Sequence, residues 1–367
     1  MVKSMRWPSQ TILRRLSSVA AAVVAAGMLS CSGSSKKSEI IEFQVLVDQF
    51  GYRPQDPKVA VVIGSLNGEQ PYELRNVETD QVIDVITPVQ WAGGSVHSQS
   101  GERAWWVDFS DFEEPGKYVL VREDGETRSA EFEIRTDIYK DVLIAATRMF
   151  FYQRSGFSKR EPFADARWTD GAAYMGPGQD TQARSVDDKL NPLSEKAMHG
   201  GWFDAGDTNK YVTYALQPVH QLLSAYGQNP KIWTDDFNIP ESGNGVPDLL
   251  DELKFELDWL IRMQDEDGGA FIKLGTLDYD PPSPIPSKDT RPRYYGPKCS
   301  SSTIAIASMF AHAAVEMQTI PELEDYAAEL TSRARSAWNW FQDNPVETDC
   351  DTGEIKAGDA DMKAEPQ

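Results

Sequence analysis

Three cysteines in 367 residues, Cys31, Cys299 and Cys350, leave little room for cysteine chemistry. There is no CxxC pair and no Cys/His cluster at ligand spacing, which argues against a zinc-finger site. Cys299 and Cys350 are read as two free thiols; a bridge between them is the alternative for an exported chain. Positive charge is also in deficit. Lys and Arg total 36 against 57 Asp and Glu, a net charge of −21. Such a surface repels nucleic acid, anionic lipid and polyanionic substrates, whereas a neutral ligand feels no such repulsion. The apolar run Leu16–Leu29 is short for a membrane-spanning helix. Apolar residues are not scarce. Forty per cent hydrophobic residues, with ten Trp, thirteen Tyr and fifteen Phe, can build sizeable cores.

Residues 1–30 read as a signal segment. Lys3, Arg6, Arg14 and Arg15 precede the apolar run, which ends in Met28-Leu29-Ser30-Cys31. This pattern looks like a bacterial lipoprotein signal, in which Cys31 is lipidated and residues 31–41 serve as a tether. One acyl-bearing anchor attaches a protein to a membrane without spanning it. The expected location is the cell envelope, at the outer membrane or cell surface. Ordinary cleavage would leave a periplasmic or secreted protein instead.

Residues 42–135 show short alternating strands. Val45–Val47, Lys58–Ile63, Tyr72–Arg75, Val82–Ile86, Ala104–Phe109, Lys117–Arg122 and Glu131–Ile134 are separated by turn signals such as Pro115-Gly116. That spacing predicts a β-sandwich. Trp91, Trp105 and Trp106 offer a sugar platform, but adjacent strand residues face opposite ways, so one of the Trp105/Trp106 pair is expected in the core. From Asp137 onward the period becomes helical. Helices are predicted over Ile138–Tyr152 with Asp137 as cap, Thr208–Tyr226, Leu249–Met263, Ser300–Gln318 and Pro321–Asp343. Pro218 should kink or break the second. Pro247 is expected at the first position of the third.

The most informative stretch is Gly200–Val212, GGWFDAGDTNKYV. Asp204 and Asp207 lie three apart, with Ala205 and Gly206 between them, so both carboxylates can address one water molecule. Asp207 capping a helix from Thr208 is the plainer reading. The whole string resembles the catalytic-base motif of glycoside hydrolase family 9, the inverting cellulase family. A second likeness is Ile239–Glu252, IPESGNGVPDLLDE, whose acids also suit a helix first turn, and a third is the QDEDGG turn at Gln264–Gly269. The phrases VDQFGYRP, DFSDFEEPGKYVLV and SAEFEI resemble the immunoglobulin-like module that precedes many family catalytic domains.

The resemblance implies an all-β immunoglobulin-like sandwich at 42–135, followed by an all-α (α/α)6-barrel domain at 137–367, of which about the first half is present. It implies that Asp207 is the base, that Asp204 helps hold the water, and that Trp202, Phe203 and Tyr211 contact substrate. Inversion needs a second carboxyl roughly 6.5–9.5 Å from the base; in the family it is a Glu far downstream, so the chain is expected to be an N-terminal fragment that is inactive alone. Family members often carry a zinc-binding Cys after Gln-Arg. Ser155 stands there, so that zinc site is not expected. No cofactor is required, and a structural calcium near 239–252 is left open. The expected substrate is cellulose or a related β-1,4-glucan cleaved by endo action, and the chain is expected to be monomeric. Alternatives are an exo-acting glucosaminidase or β-glucosidase, or a non-catalytic surface glycan-binding lipoprotein.

Overall fold

The computed structural model describes residues 44–64, 68–125, 127–278, 282–347, 350, 354 and 355. Cys31, the signal segment and the tether lie outside the described residues. The described residues divide into two compact units, one drawn from 44–47, 59–109 and 119–130, the other from 48–58, 110–118 and 131–355.

In the first unit, β1 (Gln44–Leu46), β2 (Val59–Gly64), β3 (Tyr72–Asn76), β4 (Val82–Ile86), β5 (Val89–Gln90) and β6 (Arg103–Asp108) are short strands. One antiparallel sheet has the order β1-β2-β6-β5. β2 and β6 pair along their length, from Val59↔Asp108 to Gly64↔Arg103. Alternation then decides the faces. Ala60 and Val62 are fully buried, and Trp105 is 2% exposed while its neighbour Trp106 is 40% exposed. β3 and β4 form an antiparallel hairpin with a register shift between Leu74 and Arg75.

In the second unit, residues 116–118 of β7 (Gly116–Arg122) pair antiparallel with β8 (Phe132–Ile134). Five α-helices follow among the described residues: α1 (Lys140–Gln153), α2 (Val212–Gln228), α3 (Asp248–Met263), α4 (Ser300–Met317) and α5 (Glu324–Asp343). Their core faces follow helical spacing. Leu249, Leu250, Leu253, Leu257, Leu260 and Met263 of α3 are fully buried. Ala313 and Ala314 of α4, with Ala327 and Ala334 of α5, belong to the same cluster.

Several boundaries differ from the sequence reading. α2 starts at Val212 because Lys210-Tyr211 is taken into a strand, so Asp207 does not cap it. Pro218 lies inside α2 without ending it; Ala215, Val219 and Leu223 remain buried on either side. Asp137 does not cap α1 with its side chain. Its carbonyl accepts from Lys140 N at 2.9 Å, and Tyr139 is the cap residue. Pro247 is the residue before α3, one position earlier than expected. A small sheet was not anticipated: β9 (Arg184–Ser185), β10 (Lys210–Tyr211), β11 (Lys273–Gly275) and β12 (Tyr294–Tyr295), ordered β10-β11-β12-β9. Two- and three-residue strands carry no readable periodicity, yet this sheet joins the end of the aspartate loop, through Lys273–Gly275, to Tyr294–Tyr295 and Arg184–Ser185.

The free-thiol expectation is corrected. Cys299 and Cys350 form a disulfide across a sequence separation of 51 residues, with Cα atoms 6.1 Å apart. The start of α4 meets the segment after α5: Ser300 N donates to Glu347 O at 3.1 Å, and Glu347 N to Ser300 Oγ at 2.8 Å. That return of the chain brings the two sulfurs together.

Arg154, just beyond α1, ties three segments. It is fully buried, with Nη2 3.0 Å from Glu252 of α3 and Nη1 2.9 Å from Glu241. Its guanidinium also lies 4.5 Å from the centroid of the Phe255 ring. Removing one partner of a buried ion pair leaves an uncompensated charge. Arg154→Met should therefore lower unfolding free energy by ~3–5 kcal/mol in urea titrations, with part recovered by adding Glu252→Gln. A loss below about 1 kcal/mol, the range of exposed pairs, would contradict this role.

Candidate active site

The loop Gly200–Tyr211 is built from its anchors outward. Gly200 and Gly201 have φ of 89° and 74°. At Gly201 a Cβ would fall 2.5 Å from Cγ of Trp259, so only glycine fits. Trp202 is then locked. Its backbone N–H donates to Glu256 Oε2 at 2.6 Å, its indole N–H to Glu252 Oε1 at 2.9 Å, and its ring lies 4.6 Å from that of Phe150. Phe203 N donates to Gln153 O at 2.9 Å.

The two aspartates sit on the turn that follows. Asp204 N donates to Asn209 O at 3.0 Å, and Thr208 N to Ala205 O at 3.2 Å, which closes the turn. Thr208 has φ of 59°, an uncommon backbone for a β-branched residue. Asp207 is held through both oxygens: Oδ1 accepts from Asn209 N at 3.1 Å and Oδ2 from the Tyr211 hydroxyl at 3.2 Å. Asp204 is exposed at the surface. Partial desolvation, then the neighbouring charge of Asp207, raise its carboxyl above the ordinary range.

Beneath this turn lies a buried ion group that sequence reasoning missed. Asp180, Lys210 and Arg293 are all fully buried. Lys210 Nζ is 2.7 Å from Asp180 Oδ2, and Arg293 Nε is 2.9 Å from Asp180 Oδ1. Lys210 also donates to Gly200 O at 2.6 Å, and Arg293 donates to Thr208 O at 3.0 Å. The same group therefore grips the chain before and after the aspartates. Burial pulls Lys210 down to about 8. Burial alone would raise Asp180, but its two cations hold it below the carboxylate range. Ser155 is buried with its hydroxyl 3.4 Å from Asp180 Oδ2.

Two hollows adjoin the turn. The smaller, about 240 Å³, is lined by Asp204, Trp202, Phe203, Tyr211, Tyr214 and Glu256 among others. The larger, about 770 Å³, runs past Phe203, Ala205, Gly206 and Thr208 to Trp168 and Ile285. Trp168 is 63% exposed, an open aromatic face that sequence reading did not single out. Trp202, Phe203 and Tyr211 all border a hollow, but each is at most 7% exposed. Trp202 belongs to the core, and Tyr211 positions Asp207. Apart from Trp168, the missed residues were polar ones in unremarkable sequence surroundings. Only the NKY following the second aspartate hinted that Asn209, Lys210 and Tyr211 act on it.

Comparison with known proteins decides the family. The pattern of glycosyl hydrolase family 9 matches residues 139–361, and that of the cellulase N-terminal ig-like domain matches residues 42–127. The chain belongs to glycosyl hydrolase family 9. It is 29% identical over 339 residues to a xyloglucan-specific endo-beta-1,4-glucanase of Bacteroides ovatus, covering 86% of this chain and 52% of the relative. It is also 29% identical over 323 residues to a cellulose 1,4-beta-cellobiosidase of Acetivibrio thermocellus, covering 80% of this chain and 35% of that protein. Among solved structures, a metagenome-derived family 9 endoglucanase superposes with a TM-score of 0.71 at 32% identity, covering 84% of this chain and 56% of the other. The chain thus spans about half the length, or less, of these relatives. The fold is an immunoglobulin-like β domain followed by a helical family 9 domain, and the solved neighbours are (α/α)6 barrels.

The anchor of this family 9 site yields a pH test. Glu256 is buried and its carboxyl is pushed up to about 8, chiefly by desolvation, with Glu252 adding to the rise and Trp202 N–H and Lys210 opposing it. A carboxyl raised on folding holds its proton in the folded state while the unfolded chain loses it. Its contribution to stability therefore falls as pH rises from about 4.5 to about 8. Glu256→Gln should remove that part of the slope, on the order of 4 kcal/mol, in urea unfolding compared at pH 5 and pH 8. An unchanged slope would place the proton elsewhere.

Proposed function

We propose that this chain supplies the water-activating half of an inverting hydrolysis of β-1,4-glucosidic bonds, in cellulose or a related β-glucan, by endo action. The observation that carries the reading is Asp207 fixed through both oxygens on a turn beside Asp204, next to a cleft with the exposed Trp168 ring. An oriented carboxylate can accept a proton from a water that attacks the anomeric carbon from the face opposite the leaving oxygen. Asp204 holds that water from its second side. Trp202, Phe203 and Tyr211 shape the wall at the cleft floor, and Tyr211 also orients the base. A neutral glucan meets no repulsion from a chain of net charge −21. Proton donation to the leaving oxygen is a separate role that Asp204 and Asp207 do not fill.

A substrate whose leaving group needs no proton isolates this half-reaction. The 367-residue protein should release dinitrophenol from dinitrophenyl β-cellobioside, and Asp207→Asn should lower the rate by ~10²-fold or more, the usual worth of a positioned base. Unactivated cello-oligosaccharides should turn over far more slowly. An Asp207→Asn variant as fast as the parent would overturn the assignment.

We further infer that a calcium ion is held by Asp235, Asp248 and Asp251. These carboxylates offer oxygens all within 4.8 Å of one another. Asp248 is fully buried and its Oδ1 has no hydrogen-bond partner, which is costly for a carboxylate without a cation. Burial and neighbouring acids push Asp251 up to about 7. Hard oxygen donors suit calcium, which would neutralise the cluster. Millimolar calcium should raise the melting temperature of the parent by several degrees and leave Asp248→Asn nearly unmoved; equal shifts would reject the site. The disulfide supports an oxidising, exported location, in keeping with lipidation at Cys31.

A further inference from the structure

Away from the cleft, two of the chain's four histidines touch. His220 on α2 and His312 on α4 approach with their Nδ1 atoms 2.8 Å apart and their ring planes inclined by 23°. The remote nitrogen of each ring faces an oxygen. His220 Nε2 lies 3.2 Å from Ser308 Oγ, and His312 Nε2 lies 3.9 Å from Glu316 Oε1. Both rings are partly buried.

A neutral imidazole has one donor and one acceptor nitrogen. Without a metal, a single proton can lie between the two Nδ1 atoms. Histidines that bind metals typically have their remote N–H held by an oxygen, which fixes the ring and leaves the other nitrogen's lone pair aimed at the ion. Ser308 stands where such a partner stands, while the Glu316 carboxylate lies farther off, at 3.9 Å from His312 Nε2. The spacing also discriminates between ions. With metal–nitrogen bonds of about 2.0 Å, a right-angle bite sets the nitrogens ~2.8 Å apart, and a tetrahedral bite sets them ~3.3 Å apart. The observed separation matches the right-angle case, the preference of copper(II) and nickel(II).

We propose that His220 and His312 form a two-nitrogen site for copper(II) or nickel(II) that bridges α2 and α4, with water in the other positions. When the ion takes the place between the Nδ1 atoms, the proton a neutral pair shares there moves to the remote Nε2, where an oxygen accepts it, and no net proton is released. The negative charge of the chain favours cation approach, and the Glu316 carboxylate beside His312 adds a local attraction. Nitrogen donors set this site apart from the all-oxygen acidic cluster, and it does not depend on the hydrolytic reading.

The test titrates copper(II) into the whole chain, freed of transition metals and saturated with calcium, followed by calorimetry and electron paramagnetic resonance. One equivalent should bind with the splitting of two equatorial nitrogens. His220→Ala and His312→Ala should each weaken that binding by about tenfold or more, Ser308→Ala by a smaller factor within the ~10–100-fold reach of such outer partners, and His97→Ala not at all. Copper should raise the melting temperature of the parent and not of the His220 and His312 variants. Unchanged affinity in those two variants would overturn the proposal, as would a parent spectrum without two nitrogens. Should either alanine variant fail to fold, the parent spectrum and the exposed Ser308→Ala variant decide the question.

Discussion

The aspartate turn depends on a buried electrostatic constraint. Asp180, Lys210 and Arg293 have no solvent to stabilise their charges, so each must find its partners in the fold. Lys210 also donates to Gly200 O and Met198 O, and Arg293 donates to Thr208 O. The backbone on both sides of Asp204 and Asp207 is thereby fixed from below. Thr208 keeps an uncommon φ because its carbonyl and its hydroxyl are both held, the latter by Tyr174. Strained backbone of this kind persists where its surroundings over-determine it.

A second buried group complements the first. Arg154 binds Glu252 and Glu241, Glu252 also accepts the Trp202 indole, and Glu256 accepts the Trp202 backbone N–H. One turn of α3 thus reads the position of Trp202 from two sides. The burden of order is carried by charges in the floor, while Asp207 is hydrogen-bonded through both oxygens and Asp204 is exposed. Glu256 and Lys210, each drawn to about 8 by burial, show how much desolvation this floor costs.

Much of the architecture was legible in the chain. Period-two alternation marked the strands, and the leucines of α3 marked its core face, because burial imposes a repeat. The aspartate motif was legible because its glycines and aromatics occur in fixed order. What was not legible shares a physical reason. Arg154, Asp180, Lys210, Glu256 and Arg293 are charged, and a charged residue reads as surface until the fold reveals its partners. The strands β9–β12 are too short to show a period. The Cys299–Cys350 bridge depends on the chain returning after α5 to the start of α4, a contact no local pattern encodes. Trp202 and Phe203 read as substrate contacts, yet they stand largely buried at the cleft wall, since aromatic residues serve packing and stacking alike.

The central claim is that Asp207 directs water to the anomeric carbon from the face opposite the leaving group. Proton NMR of the first sugar released from dinitrophenyl β-cellobioside tests it most directly. The account predicts that the α-anomer of cellobiose appears first and then mutarotates, with Asp207→Asn abolishing the signal. Initial release of the β-anomer would mean a covalent intermediate and a nucleophile instead of a base, and would contradict the account.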